Sequence, residues 1–341
     1  MILVTGGLGF VGSHVCVELL CNGLSVVALD NLSNAKTTVA DRIRTVASGG
    51  LEFVHADVRD GAALRSVLST FPIESVFHFA GLKSVRESFE RPLDYYDTNV
   101  GGAVTLLAAM REHGVREMVF SSSATVYGIP RTLPVTEDHP LVPVSPYGRT
   151  KLIVEDLLAD MAKGAPGFRY ASLRYFNPVG AHPSGSIGED PLQSPENLMP
   201  YVSQVAIGRR PRLRVFGNDY DTPDGTCVRD FIHVMDLAAG HLAALRFLRR
   251  SGRSITVNLG TGRGRSVMEV VRAFEHAAGK AIPLEIADRR PGDVPALYAD
   301  ATRAFAEFGW KAEHTLEEMC IDAWRWQQTN PPGYYDQAGG G

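Results

Sequence analysis

The four cysteines of this 341-residue chain, Cys16, Cys21, Cys227 and Cys320, have no metal-ligand spacing. Cys16 and Cys21 lie five residues apart in a stretch of helical pattern and read as packing residues. Ten histidines are scattered without an H-x-x-H or H-E-x-x-H pair, which argues against a histidine metal site. No run of 18 apolar residues occurs, which excludes a membrane-spanning helix of ordinary length. The first predicted strand begins at residue 2 and leaves no room for a signal peptide. With 34 basic and 38 acidic residues the net charge is −4, giving no global reason to expect nucleic acid or a membrane surface as partner. These absences lead us to expect a reduced, metal-free, cytoplasmic protein. A hydrophobic fraction of 45% and a charged fraction of 21% belong to an ordinary globular chain, and the length suggests about two domains.

What the chain does contain begins at once. The apolar run "MILVT" is followed by "GGLGFVG", four glycines in seven positions. Glycine inside regular structure costs about 0.5–1 kcal/mol relative to alanine, so the cluster needs a reason. Close approach of backbone N–H groups to a phosphate is one. The stretch reads either as Gly7-x-Gly9-x-x-Gly12 or as Gly6-x-x-Gly9-x-x-Gly12. "FVGSHVCVELLCNG" continues as a helix capped at Gly23, and "SVVALD" as a buried strand ending at Asp30, 30 − 9 = 21 residues beyond Gly9. An acid at that distance hydrogen-bonds the adenosine ribose and repels a 2′-phosphate. The unit predicts a dinucleotide site that prefers NAD to NADP.

Short apolar runs go on alternating with helical patterns. "LEFVHADV" is a strand ending at Asp57, "GAALRSVLSTF" a helix, "SVFHFAG" a strand, and residues 92–113 a long helix. "EMVFSSSATVYG" and "YASLRYFNPVG" are the fifth and sixth strands. This order predicts an α/β fold with a Rossmann-type doubly wound parallel sheet. Its ligands should gather at the carboxyl ends of the strands, where the glycine loop, Asp30, Asp57, the loop after Ala80, Ser121–Ser123 and Asn177 all fall. After residue 178 the chain turns rich in Pro, Gly and Ser, which marks a long loop or a crossover. Residues 1–178 are therefore expected to form the cofactor domain and 179–335 a smaller α/β substrate domain, with a possible return of the chain to the first. The closing "GYYDQAGGG" is expected to fray, with 336–341 as the free tail.

The sharpest catalytic signal is "SPYGRTK". Ser145 is a good N-cap and Pro146 suits the first helical position, so Tyr147 and Lys151 share one helix face. A free phenol, with pKa about 10, is roughly one part in a thousand ionised at pH 7. An ammonium at about 4 Å is worth on the order of 4 kcal/mol at an effective dielectric of 20, or about three pKa units. Lysine is therefore expected to turn this tyrosine into a usable base. An amphipathic helix with an incidental Tyr and Lys is the plain alternative.

Taken together, these features resemble the extended short-chain dehydrogenases/reductases. The ordered set "TGGLGFVGSH", "LDNLSN", "HFAGLKSV", "SSSATVYG", "SPYGRTK", "LRYFNPVGAHPSG", "NLMPYV", "FGNDYDTPDGTCVRDFIHVMDLA" and "RRPGDVP", spanning residues 4–295, resembles the UDP-glucose 4-epimerase family within them. The resemblance implies that Tyr147, Lys151 and Ser123 are catalytic. It also implies that UDP-glucose and UDP-galactose interconvert through a transient 4-keto sugar while NAD stays bound. By the same resemblance NAD is held by Gly6, Gly9, Phe10, Val11, Gly12, Asp30, Asn31, Asn34, Asp57 and Val58. Phe79, Ala80, Gly81, Lys83, Asn99, Ser121, Tyr147, Lys151, Tyr175 and Phe176 complete that set. The UDP-sugar falls to Lys83, Ser123, Tyr147, Asn177, Asn197, Leu198, Val215, Phe216, Arg229, Arg290, Asp293 and Leu297. No metal is implied.

Related dehydratases carry Asp-Glu after the hydroxyl residue, and uronate decarboxylases a glutamate; Ala124 and Thr125 stand there instead, which favours epimerisation. Two positions depart from the family pattern. Ala35 replaces a hydroxyl residue, and Leu297 is intermediate between a bulky tyrosine and the small residues of branches that accept N-acetylated sugars. A 4-epimerase of another UDP-sugar, such as UDP-N-acetylglucosamine, and a non-catalytic NAD-sensing protein remain as alternatives. The resemblance also implies a homodimer through the 92–113 helix and the Tyr147–Lys151 helix.

Overall fold

The computed structural model describes residues 1–290 and 293–334. Seven parallel strands form the main sheet: β1 (Ile2–Thr5), β2 (Val26–Asp30), β3 (Leu51–His55), β4 (Ser75–His78), β5 (Glu117–Ser123), β6 (Arg169–Tyr175) and β7 (Ile255–Leu259). Their spatial order is β7-β6-β5-β4-β1-β2-β3, with helices on both faces. On one face the helices Phe10–Cys21 and Val234–Ser251 pack together, burying Val15, Leu19, Leu242 and Leu245. On the other lie Gly61–Thr70, Gly102–Glu112 and Pro146–Gly164, with Leu64, Leu106, Met110 and Leu158 in the core. This is the doubly wound fold that the alternation of strands and helices requires.

Local chemistry fixes the element ends. Gly23 takes φ +78° and lets its own N–H and that of Leu24 bond back to Leu20 and Leu19, closing the first helix. The Ser145 hydroxyl accepts the Gly148 N–H at 3.1 Å, with Pro146 at the first helical position.

The structure corrects several sequence-level boundaries. The third strand stops at His55, short of Asp57, and the fourth at His78, because the Phe79 and Ala80 N–H groups both turn to the Thr5 carbonyl. The helix expected over 92–113 is broken by a π-helical stretch, Tyr96–Gly101, between Pro92–Tyr95 and Gly102–Glu112. The sixth strand is two strands. After β6 the chain switches at Phe176, and Asn177–Val179 pairs with Val228–His233 in a second, four-stranded sheet. That sheet also holds Gly264–Ser266 and Ala296–Leu297, and a two-stranded pair joins Leu213–Phe216 to Leu284–Ala287. Val234–Leu259 then comes back to the first layer, supplying a helix and β7.

Fraying does not begin at Gly333. Tyr334 is buried, packs its ring 4.5 Å from that of Trp326, and donates its hydroxyl to the Gly188 carbonyl at 3.1 Å. Residues 336–341, expected to be a free tail, lie outside the described residues.

The turn between β1 and its helix leaves no room for side chains. A Cβ at Gly12 would fall onto the Gly6 carbonyl oxygen, a backbone atom that cannot swing aside. Gly12→Ala is therefore expected to destabilise the protein by about 1–3 kcal/mol, the usual cost of overpacking. Urea unfolding measures it, and an unshifted midpoint would show that the turn can relax.

Candidate active site

The sheet's carboxyl edge gathers the first group of site residues. Gly6 takes φ +68°, and a Cβ there would stand 2.7 Å from the Ala80 nitrogen. Gly9 is different: only the Gly6 oxygen, at 3.3 Å, lies near its would-be Cβ, so its outer face is open. No side chain caps the helix that starts at Phe10, and Phe10 and Val11 are half-buried in its first turn. An uncapped helix start behind an open glycine is a cradle for a diphosphate. Asp30 ends β2 with its carboxylate accepting the N–H groups of Leu8 at 3.1 Å and Leu32 at 2.9 Å. Burial raises its pKa. Each oxygen keeps a lone pair for a ribose hydroxyl, while a phosphate there would meet a buried acid. These residues fit NAD.

The loops after β2 and β3 interlock. Asn31 donates to Asp57 at 2.9 Å, and the Arg59 guanidinium holds the Asp57 carboxyl well below the usual carboxylate range. Asn34 accepts the Leu192 N–H at 3.4 Å. Val58 can meet a ligand only through its backbone, since its side chain is buried against Gly102 in the core. The π-helical stretch has a use here. It carries Asn99, which exchanges hydrogen bonds with both backbone groups of Leu82 (2.8 and 3.0 Å) and donates to Thr150 Oγ1 at 3.0 Å. Asn99 thereby ties the Ala80–Lys83 loop to the Tyr147 helix. Gly81 keeps this possible, since a Cβ there would stand 2.8 Å from Asn99 Oδ1. The Phe79 ring packs 4.9 Å from that of His241. Lys83 does not stand free for a diphosphate: its ammonium pairs with Glu189 at 3.0 Å, and Asn197 donates to the same oxygen at 2.9 Å. Glu189 was not legible as a site residue.

At the ends of β5 and β6 the residues expected to be catalytic meet. Lys151 is 6% exposed and donates to the Ser121 carbonyl at 2.8 Å. Its Nζ lies 5.0 Å from the Phe120 ring centre and 5.9 Å from that of Tyr147. Ser123 accepts from Thr125 N and Oγ1 at 3.2 and 3.0 Å. The Ser121 hydroxyl meets that of Tyr175, and Phe176 is buried beside them. The expected shift of the phenol is reversed. Burial pushes the Tyr147 pKa up, and a hydrogen bond with Ser123 only partly offsets it. Burial also pushes Lys151 down to about 8, with Glu155 opposing. Desolvation disfavours both charged forms, and the lysine proton is aimed at a backbone carbonyl, so Lys151 alone does not make the base.

The second group comes from the smaller sheets. The Phe216 ring has the Arg290 guanidinium at 4.6 Å and that of Arg214 at 5.3 Å. Arg290 donates to Asp293 at 3.0 Å, and Arg229 approaches the other Asp293 oxygen at 3.7 Å. Arg229 also donates to the carbonyls of Val228 and Val294 at 2.9 and 2.7 Å. Asp293 thus holds two guanidinium groups side by side. Leu297 is paired with Arg229 in the ladder, and its side chain packs on the cluster containing Ala124 and Phe176. That contact brings the second group against the ends of β5 and β6. Asn177 sits on the strand that crosses between the sheets, and Asn197 precedes the helix Leu198–Ala206. Val215, at 1% exposure, turns its side chain into the core with Leu213 and Met199, so it can meet a ligand only through its backbone. The alternation in "LRVF", with Arg214 out and Val215 in, carried that signal.

Among the described residues no group of three or more His, Cys, Asp or Glu is arranged to hold a metal, and no helix is long and apolar enough to cross a membrane.

A family model described as GDP-mannose 4,6 dehydratase matches residues 3–323. The UDP-glucose 4-epimerase of Dictyostelium discoideum is 54% identical over 336 residues, 98% of each chain. The crystal structure of UDP-glucose 4-epimerase from Stenotrophomonas maltophila, with bound NAD and formylated UDP-arabinopyranose, superposes with a TM-score of 0.94 at 51% identity, over 96% of this chain and 98% of that one. The Bifidobacterium longum UDP-glucose 4-epimerase in complex with NAD+ and UDP gives 0.95 at 47% identity, over 98% and 99%.

Proposed function

The chain belongs to the UDP-glucose 4-epimerase family of extended short-chain dehydrogenases/reductases, and we propose that Tyr147, Lys151 and Ser123 carry its C4 chemistry. It is an NAD-dependent isomerase acting on UDP-glucose. When bound, NAD supplies a reversible hydride acceptor at C4 and a positive charge beside the phenol. The Tyr147 oxygen takes the proton of the sugar 4-hydroxyl while Ser123 holds that oxygen by a hydrogen bond. Lys151, braced by the Ser121 carbonyl, stabilises the phenolate form. The 4-keto sugar then presents its other face, and Tyr147 returns the proton, giving UDP-galactose from UDP-glucose or the reverse. Turning the sugar requires a loose pocket and a firmly held nucleotide. Phe216 offers the uracil a ring, and Arg229 and Arg290 offer the diphosphate two forked donors.

The observation that carries epimerisation over elimination is the residue pair after Ser123. Ala124 has no proton to exchange, and the Thr125 hydroxyl is spent on Ser123 at 3.0 Å. We assign NAD to the 1–178 part with its Val234–Leu259 return, and the UDP-sugar to the rest of 179–335. The same reading makes the protein a cytoplasmic homodimer. Exposed Phe89, Leu93 and Val104, on and beside the 92–112 helices, support a partner surface there.

Purified protein incubated with UDP-galactose and no added cofactor is expected to form UDP-glucose, and after denaturation to release NAD. An empty site, or a substantial NADP content, would contradict the reading of the glycine loop and Asp30. Tyr147→Phe removes only the ionisable oxygen and should lower kcat by about 10²–10⁴ with little change in UDP-sugar binding, as loss of a general base does. Near-normal turnover would assign the proton transfer elsewhere. Leu297→Ser should raise kcat/KM for UDP-N-acetylhexosamines, and Leu297→Tyr should abolish it while sparing the plain hexoses. If neither variant moves that ratio, another wall of the pocket sets specificity.

A further inference from the structure

One turn beyond Lys151 on the same helix stands a buried charge that the C4 chemistry does not touch. Glu155 and Arg174 form an ion pair with both side chains 6% exposed. Arg174 Nε donates to Glu155 Oε1 at 3.0 Å and Nη2 to Oε2 at 2.6 Å. The Ser122 hydroxyl donates to the same carboxylate. Ser122 lies between Ser121, whose carbonyl receives the Lys151 ammonium, and Ser123. Arg174 Nη1 continues to the Tyr127 hydroxyl at 3.1 Å and the Glu137 carbonyl at 3.2 Å, and Tyr127 donates to Asn258 of β7 at 2.6 Å. The carboxylate thus joins β5 and β6 to the Tyr147 helix, and Arg174 carries the network on through Tyr127 to β7.

A buried pair of this kind is weak evidence for stability, because well-packed apolar residues often serve as well. Its place suggests another use. Lys151 is itself buried and its immediate partner is a neutral carbonyl, so the anion on the next turn is the natural counter-charge. We infer that Glu155 is a positioning residue for epimerisation: held by Arg174 and Ser122, it keeps Lys151 in its ammonium form and fixes the β5 end that presents Ser121 and Ser123. The inference rests on the assignment of Lys151 given above.

The surrounding groups do not duplicate this role. Facing Lys151 are the Phe120 and Tyr147 rings and, within electrostatic reach on β4, His78, which burial pushes down to about 3 and so keeps neutral. Around Glu155 lie Arg174 and Tyr170 of β6, Tyr127, and its neighbour Asp156. Burial already lowers Lys151 to about 8 against the pull of Glu155. Removing that charge lowers it further, so the ammonium is lost, and the phenolate with it, at a lower pH.

The test is the pH dependence of kcat/KM for UDP-galactose with the NAD-loaded enzyme. Glu155→Gln should move the alkaline limb to lower pH by about one unit or more, as loss of a neighbouring opposite charge does, with the acid-side activity retained. Because this leaves Arg174 unpaired, the double variant Glu155→Gln/Arg174→Met, which removes both members of the pair, is measured beside it and should shift the limb in the same direction by a smaller amount, since a cation leaves with the anion. Glu155→Asp keeps the charge and should keep the limb near its parental position. A folded double variant whose limb does not move, or which loses activity equally at every pH, overturns the inference. Tyr147→Phe separates the two levels: if that variant is inactive and the limb still does not move, Glu155 alone is refuted.

Discussion

Where the order of the parallel strands reverses, between β1 and β4, the loops that follow them diverge, and the crevice between them lets backbone approach a ligand from two sides. The contact that defines this crevice is made by atoms without side chains. Gly6 lies against Ala80, and Gly12 against Gly6, while the Thr5 carbonyl accepts the N–H groups of both Phe79 and Ala80. Any Cβ at Gly6 would separate the two loops. Everything further out is built on that closeness. Asn99 can reach Leu82 and Thr150 because the β4 loop is held down, and the Tyr147 helix is thereby aligned on the same rim.

Reaction and recognition are divided between differently built parts. The groups we propose to react stand on the end of β5 and on the Pro146–Gly164 helix, inside a core buried on both faces. The proposed nucleotide anchors come from the smaller sheets, tied to that core by the strand switch at Phe176 and by Leu297 packing on the cluster that contains Ala124 and Phe176. Such a division suits a reaction whose substrate must turn over. Binding energy gathered at a remote nucleotide can be large without gripping the sugar, so the ring keeps the freedom that epimerisation needs.

Much of this was legible in the sequence because it is local. The alternation of strand and helix, the glycine loop, the acid at Asp30 and the Ser145–Pro146 helix start each depend on residues a few positions apart. What was missed depends on burial or on distant partners. The pairing of Lys83 with Glu189 joins residues 106 apart in the chain. Val58 and Val215 turn their side chains inward, so any part they play at a ligand falls to their backbone, and the period-2 pattern of a strand shows this for Val215. Tyr334 falls in the closing segment expected to fray, yet its ring packs against Trp326. The π-helical stretch has no pattern of its own; it is recognisable only once Asn99 is seen to have partners.

The reversed shift of Tyr147 is the most instructive of these. A helix spacing of four residues told correctly which groups share a face, but it carried no information on the medium between them. In water an ammonium near a phenol favours the phenolate; in a site that excludes water, the cost of holding either charge can exceed their attraction. Burial here moves Tyr147 and Lys151 both toward neutrality. The proposed proton transfer needs the opposite, a phenolate beside an ammonium. The arrangement is sustainable only if further charges enter the balance, a cationic ligand over the phenol on one side and a fixed anion behind the ammonium on the other. Glu155 supplies the second, fixed in place by the Arg174 guanidinium on both of its oxygens.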